Sequence, residues 1–242
     1  MKQVIEGVAF DDLTLDEAVR AGEALVRSDG FHYAVTPNPE FILLSRKDGE
    51  FLRLLNGADL TLPDGIGVVY AAKILGRPLK GRVPGIDFAS GLMAALERSG
   101  GARVYLLGAK PGVAEDAMAA LSARYPGLTF CGCRDGYFQD DAAAAEEVRA
   151  AAPDLLFVCL GAPKQEKWMA AYGPSTGARL AIGLGGALDV FAGRVERAPE
   201  RWQKLGLEWL YRLKQEPGRI GRMARLPLFL VGAAGRRLTG KG

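Results

Sequence analysis

Asp154 to Leu160 reads DLLFVCL and runs into the turn Gly161-Ala162-Pro163, after which Lys164 to Tyr172 has the length and composition of a helix. An unbroken apolar run closed by a glycine turn marks a strand buried on both faces, as in a parallel sheet. The same unit recurs on either side. Arg103 to Leu107 (RVYLL) precedes Gly108-Ala109-Lys110-Pro111-Gly112 and a helix over Val113 to Arg124. Leu128 to Cys133 reads as a strand and Asp141 to Ala151 as a helix, and Arg179 to Leu184 is a last strand before Gly185-Gly186-Ala187. Further upstream, Phe31 to Thr36 ends at Pro37-Asn38-Pro39, with helical apolar spacing over Glu40 to Asn56. Ala58 to Pro63 alternates and stops at Pro63-Asp64-Gly65, before a helix from about Ile66 to Leu75. Strands alternating with helices of this length predict an α/β protein: a Rossmann-like, mainly parallel sheet with helices on both faces. Ligands of such sheets bind beyond the carboxyl ends of the strands.

The chain has 242 residues, of which 49% are hydrophobic and 24% charged, so it has a real core and neither disorder nor a fibrous repeat describes it. No apolar run reaches the ~18–20 residues that span a bilayer. The N-terminus shows no apolar signal segment, and three cysteines, Cys131, Cys133 and Cys159, form no paired framework; both point to the cytoplasm. Cys131 and Cys133 are too close for the usual zinc knuckle, and the single histidine, His32, lies far away in a strand pattern. No metal site is expected.

Charge is uneven along the chain. From Glu196 onward there are 11 Lys and Arg against 4 Asp and Glu, whereas the first 195 residues carry 20 against 24. Trp202 to Lys214 is amphipathic, Glu216-Pro217-Gly218 breaks it, and Arg219, Arg222 and Arg225 then recur beside Ile220, Met223, Leu226 and Leu228-Phe229-Leu230. A basic helix with an apolar face lies in a membrane interface, although a helix docked on a partner or on its own core reads the same way. The division expected is a catalytic unit over 1–195 and a basic, membrane-associating appendage over 196–242. Acidic character in the first part argues against nucleic acid as a partner.

The loops that follow the strands carry the chemistry. Thr36 and Asn38 offer a hydroxyl and an amide, and Asn38 before Pro39 also has the signature of a helix N-cap. Asp64 presents a carboxylate at the next strand end; without a usable histidine, general-base work falls to Asp, Glu or Lys. Arg77, Lys80 and Arg82 form a basic loop in which a guanidinium would grip phosphate at two points. The turns around Gly108 and Lys110, around Gly161 and Lys164, and at Gly183–Gly186 with Gly185 expose backbone N–H groups and helix N-termini suited to an anion. None matches G-x-G-x-x-G or the P-loop pattern. Asp-x-Asp, a metal-holding spacing in many nucleotide-sugar transferases, is absent too. If the chain moves a group off a nucleotide diphosphate, cations and helix termini must meet the departing charge.

In order and spacing these motifs resemble the WecG/TagA/CpsF glycosyltransferases over nearly the whole chain. The resemblance rests on Thr36-Pro37-Asn38-Pro39-Glu40, Pro63-Asp64-Gly65, Arg82-Val83-Pro84-Gly85, Leu107 to Gly112, Gly161 to Glu166, Arg197-Ala198-Pro199 and Gly206 to Arg212. It implies inverting transfer of a hexosamine, N-acetylmannosamine or its uronic acid, from UDP to undecaprenyl-diphosphate-linked N-acetylglucosamine. That chemistry serves cell-surface polysaccharide or teichoic-acid linkage synthesis at the inner membrane face, without a metal or other cofactor. It also implies Asp64 as base, Thr36 and Asn38 as sugar contacts, and Arg82 and Gln165 as substrate ligands, with Arg212, Arg219 and Arg222 near the diphosphate. An appendage that completes a neighbouring copy's site would make the protein a homo-oligomer. Two other classes stand beside this reading: a nucleotide-cofactor oxidoreductase on a similar sheet, and a non-enzymatic membrane-surface module.

Overall fold

The computed structural model describes residues 1–204, 208, 210–211 and 225–239. Its centre is a six-stranded sheet in the order β4-β3-β8-β7-β5-β6, every neighbouring pair parallel. The strands are β3 (His32–Val35), β4 (Leu60–Thr61), β5 (Arg103–Gly108), β6 (Thr129–Arg134), β7 (Leu155–Cys159) and β8 (Leu180–Gly183). Strand β7 shows why the DLLFVCL run is apolar throughout. Leu155, Phe157 and Cys159 enter the core on one face of the sheet, and Leu156 and Val158 enter that on the other.

The helices divide accordingly. Helices α1 (Leu15–Arg27), α5 (Gly85–Arg98), α6 (Val113–Arg124) and α9 (Ala187–Phe191) supply the first core. Helices α2 (Pro39–Ser45), α3 (Gly49–Asn56), α4 (Ile66–Ile74), α7 (Asp141–Ala151) and α8 (Lys164–Tyr172) supply the second. The helices that follow β3, β8, β7, β5 and β6, taken across the sheet, therefore alternate between its two faces. Crevices between such strands open at their carboxyl ends, all on one edge of the sheet.

Several expectations change. The single helix over Glu40 to Asn56 is two, because the Asp48 side chain accepts from the Phe51 N–H and starts α3 afresh. The alternating stretch Ala58 to Pro63 contributes only two strand residues. An antiparallel hairpin, β1 (Lys2–Ile5) and β2 (Val8–Asp11), precedes α1 and buries Ile5, Val8 and Phe10.

At the other end, helix α10 spans Glu200–Lys204 and helix α11 spans Arg225–Thr239. Phe229 and Ala233 of α11 are fully buried in the second core, against α4 and α2. Glu6, its side chain wholly buried, takes Arg46 at 2.7 Å and Arg236 at 2.6 Å, and Arg237 donates to the Ile74 carbonyl at 2.6 Å. The apolar side of this basic helix is thus in part a docking face on its own protein, while Val231 points to solvent. Among the described residues no helix is long and apolar enough to cross a membrane.

Candidate functional site

The loops leaving β4, β3, β8, β7 and β5 stand side by side along the carboxyl edge. Asn38 caps α2: its side-chain oxygen accepts from the Glu40 N–H at 2.8 Å and the Phe41 N–H at 3.2 Å, with Pro39 as first helical residue. The cap and the strand end fix the Thr36–Asn38 turn. Thr36 is buried and donates from Oγ1 to the Gly183 carbonyl at 3.2 Å, tying the ends of β3 and β8 together.

Asp64 sits against that turn. Its N–H donates to the Pro37 carbonyl at 3.1 Å, and its Oδ2 accepts from the Gly85 N–H, the first amide of α5, at 3.3 Å. Gly65, at φ +94°, brings the chain to the side of Asn38 and Pro39; an added Cβ would meet Asn38 Cβ at 3.8 Å. Gly85 packs on Thr36 so closely that a Cβ would lie 3.0 Å from Thr36 Oγ1. Thr36 and Asn38 of the turn after β3 and Asp64 of the loop after β4 are therefore one cluster.

Backbone donors surround it. Helices α1, α2, α3 and α7 start on Thr14, Asn38, Asp48 and Asp140, whose side chains satisfy the first N–H groups. In helices α4, α5, α6, α8 and α9 the N-cap residue gives no side-chain cap, although Asp64 accepts from the first amide of α5. All five follow loops of the carboxyl edge. Their amide groups and the positive ends of their dipoles form a field in which negative charge is stabilised.

The cations are distributed unequally. Arg77 donates to the Val4 carbonyl at 2.8 Å and Lys80 pairs with Glu17 at 2.8 Å, so both face away from the cluster. Arg82 stays beside it, because Val83 N–H donates to the Pro63 carbonyl at 2.9 Å; its guanidinium pairs with Glu208 at 2.9 Å. Glu208 also faces Arg197 Nε at 3.7 Å, and Arg197 forks onto Asp87 at 2.5 and 2.7 Å. Lys110 is exposed on the loop after β5, and Lys164 lies 4.8 Å from the centre of the Phe138 ring. Gly108, Lys110, Gly161 and Lys164 thus line the β5–β7 half of the edge. Arg212, Arg219 and Arg222 lie outside the described residues.

Gln165 lies under the end of β8, beside Gly183. It is 1% exposed, and its amide is engaged internally: Oε1 accepts from the Gly185 N–H at 3.0 Å and Nε2 donates to Glu166 Oε1 at 2.7 Å. Glu166 is fully buried, and burial pushes its carboxyl up to about 7. Sequence reading missed it, because a glutamate in the first turn of a helix ordinarily faces water. A pKa raised on folding from 4.5 to about 7 gives a definite sign. The folded chain holds this proton more tightly, so its stabilisation is complete below about pH 4.5 and is lost as the pH rises through about 7. Glu166→Gln is expected to remove that loss, worth roughly 3 kcal/mol at most. Thermal unfolding of both proteins at about pH 5 and about pH 8 checks it: wild type should weaken more than the variant across this interval.

Among the described residues the other end of the sheet carries no comparable array. His32 bridges Ser28 and Asp59, each at 2.9 Å, at the start of β3, as a structural side chain. Burial pushes the Cys159 thiol up to about 12 and raises Cys131 and Cys133 as well, which keeps all three in the inert thiol form. Among the described residues no three His, Cys, Asp or Glu side chains converge as a metal would require.

A profile described as "Glycosyl transferase WecG/TagA/CpsF family" matches residues 3–242. The chain is 38% identical over 196 residues to a Bacillus subtilis protein named N-acetylglucosaminyldiphosphoundecaprenol N-acetyl-beta-D-mannosaminyltransferase, covering 81% of this chain and 76% of that one. A Bacillus spizizenii protein of the same name is 36% identical over 199 residues, 82% and 77% of the two chains. One from Staphylococcus aureus is 34% identical over 229 residues, 93% and 89%.

Proposed function

Because the chain belongs to the WecG/TagA/CpsF family of glycosyl transferases, we propose that it moves N-acetylmannosamine, or its uronic acid, from UDP to N-acetylglucosamine on a lipid diphosphate. Family membership sets aside the redox and non-enzymatic readings. The relatives' names supply the mannosaminyl group and the undecaprenyl-linked acceptor. UDP as carrier, inversion and independence of metal belong to the proposal.

One observation carries it: the Asp64 carboxylate accepts from the Gly85 N–H while its own backbone N–H is tied to the Pro37 carbonyl, on an edge where several helices start. In the proposed step the acceptor hydroxyl oxygen attacks the anomeric carbon as Asp64 takes its proton. The bond from that carbon to the phosphate oxygen breaks, and its electron pair leaves with UDP. A positioned base contributes ~10²–10⁴-fold to such a step, since a sugar hydroxyl holds its proton far above neutral pH. Thr36 and Asn38 sit where they would contact the sugar. Arg82, Lys110, Lys164 and the positive ends of the helices would take up the diphosphate charge, worth several kcal/mol in a closed site.

The proposal puts the enzyme at the inner face of the membrane, held there by the basic stretch from Glu196 onward. Each Lys or Arg near an anionic surface contributes ~1 kcal/mol, enough for reversible recruitment. UDP release from a panel of UDP-sugars, with a short-chain lipid-diphosphate N-acetylglucosamine acceptor, tests the reading. The expected result is acceptor-dependent release with a UDP-hexosamine, undiminished in excess EDTA. Release without acceptor, or activity that EDTA abolishes and Mg²⁺ restores, would contradict it.

A further inference from the structure

Between α8 and the end of β8 lies a short buried polar chain of Glu166, Gln165 and the Gly185 N–H. Glu166 Oε1 accepts from Gln165 Nε2 at 2.7 Å, and Gln165 Oε1 accepts from the Gly185 N–H at 3.0 Å. An amide has one accepting and one donating end. An acceptor at Glu166 therefore holds Gln165 with its oxygen toward Gly185; the flipped amide would set N–H against N–H. Space enforces the same arrangement. A Cβ at Gly183 would lie 2.8 Å from Gln165 Nε2, so the glutamine fits under the strand end only because residue 183 is glycine.

The turn so held, Gly183 to Gly186, is connected to the site through its Gly183 carbonyl, which accepts from Thr36 Oγ1 at 3.2 Å. Gly185 itself sits at φ +54°, so the turn keeps its shape through contacts rather than through a backbone preference. Glu166 Oε2 has no hydrogen-bond partner although it is buried, a cost the fold retains at this position.

We propose that Glu166 is a positioning residue of the transferase: by fixing the Gln165 amide, it holds the Gly183–Gly186 turn, and through it Thr36, in working geometry. This rests on the transfer reading above. Misplacing a site by about 1 Å costs on the order of 10²-fold in rate. Glu166→Ala should therefore lower kcat by that order while changing the donor KM only a few-fold. Glu166→Gln keeps an accepting oxygen and should recover most of the loss.

Amide hydrogen exchange at Gly185, measured on the full chain without substrate, separates this inference from the transfer reading. Exchange should accelerate in Glu166→Ala and return toward the wild-type rate in Glu166→Gln. Should the alanine variant not fold, Gln165→Asn, one methylene too short to span Glu166 and Gly185, is expected to give the same accelerated exchange and lowered kcat. Wild-type exchange in the disrupting variant, faster exchange with wild-type kcat, or a glutamine variant as impaired as alanine would each overturn the inference. Absence of transfer by the wild-type enzyme would instead sink the transfer reading and leave the exchange result to judge Glu166.

Discussion

Asp64→Asn is expected to give a folded protein that binds donor and turns over ~10²–10⁴-fold more slowly than wild type. Asparagine has nearly the shape of aspartate, and its side-chain oxygen can still accept from the Gly85 N–H that Asp64 Oδ2 meets at 3.3 Å. The backbone bond from residue 64 to Pro37 is unaffected by the change. What the amide lacks is a lone pair basic enough to take a hydroxyl proton. Loss should therefore appear in kcat, with melting temperature and UDP affinity close to wild type. Wild-type turnover would remove Asp64 from the mechanism. A large fall in melting temperature would instead reveal a structural charge.

Gly108→Ala should be the most damaging single-methyl change on the carboxyl edge. Gly108 closes β5 opposite Cys159 of β7 at φ +128°, a backbone conformation side chains rarely adopt. An added Cβ would lie 2.3 Å from the Cys159 carbonyl oxygen and 2.5 Å from its carbon. These are backbone atoms of a central strand, so no rotamer change relieves the contact. Strained φ and overpacking together are expected to cost about 2–6 kcal/mol, a large share of a domain's stability. Gly161→Ala on the neighbouring loop is the control. Its φ is +77° but nothing lies within 4 Å, so only the conformational penalty of ~1–2 kcal/mol applies. Urea unfolding of both variants checks the contrast; equal midpoints would show that the β5–β7 junction can yield.

The alternation of strands and helices was most legible where each element buries itself on one sheet. From Arg103 to Gly183 the apolar runs and glycine turns correspond to β5 through β8, and Asp141–Ala151 and Lys164–Tyr172 match their helices end to end. The hairpin at Lys2–Asp11 escaped because its strands, KQVI and VAFD, are interrupted by charged and polar residues, whereas β3 and β8 close on turn signals of proline or glycine. Asp48 split a helix that apolar spacing joined, since a side-chain cap outweighs periodicity over three residues.

The site was legible in its parts rather than in its contacts. Thr36, Asn38 and Asp64 follow strands, and strand order alone brings them together. Gln165 was visible as a polar residue after a glycine turn, but its burial under Gly183 is a tertiary fact. Arg82 was visible as a loop cation. Its partner, Glu208, lies 126 positions away, beyond any local pattern. The basic end of the chain also divides in a way composition could not reveal: Phe229 and Ala233 of α11 are buried in the core, while Val231 remains outside.

The claim on which the rest depends is a single displacement at one carbon, with Asp64 as base. Stereochemistry tests it most directly. Product made by the wild-type enzyme from an α-configured UDP-N-acetylmannosamine donor and a lipid-diphosphate N-acetylglucosamine acceptor can be isolated and its new linkage read by NMR at the anomeric carbon. A single displacement gives the β-linked disaccharide; an α-linked product would contradict it, by requiring a second displacement that Asp64 as base does not provide.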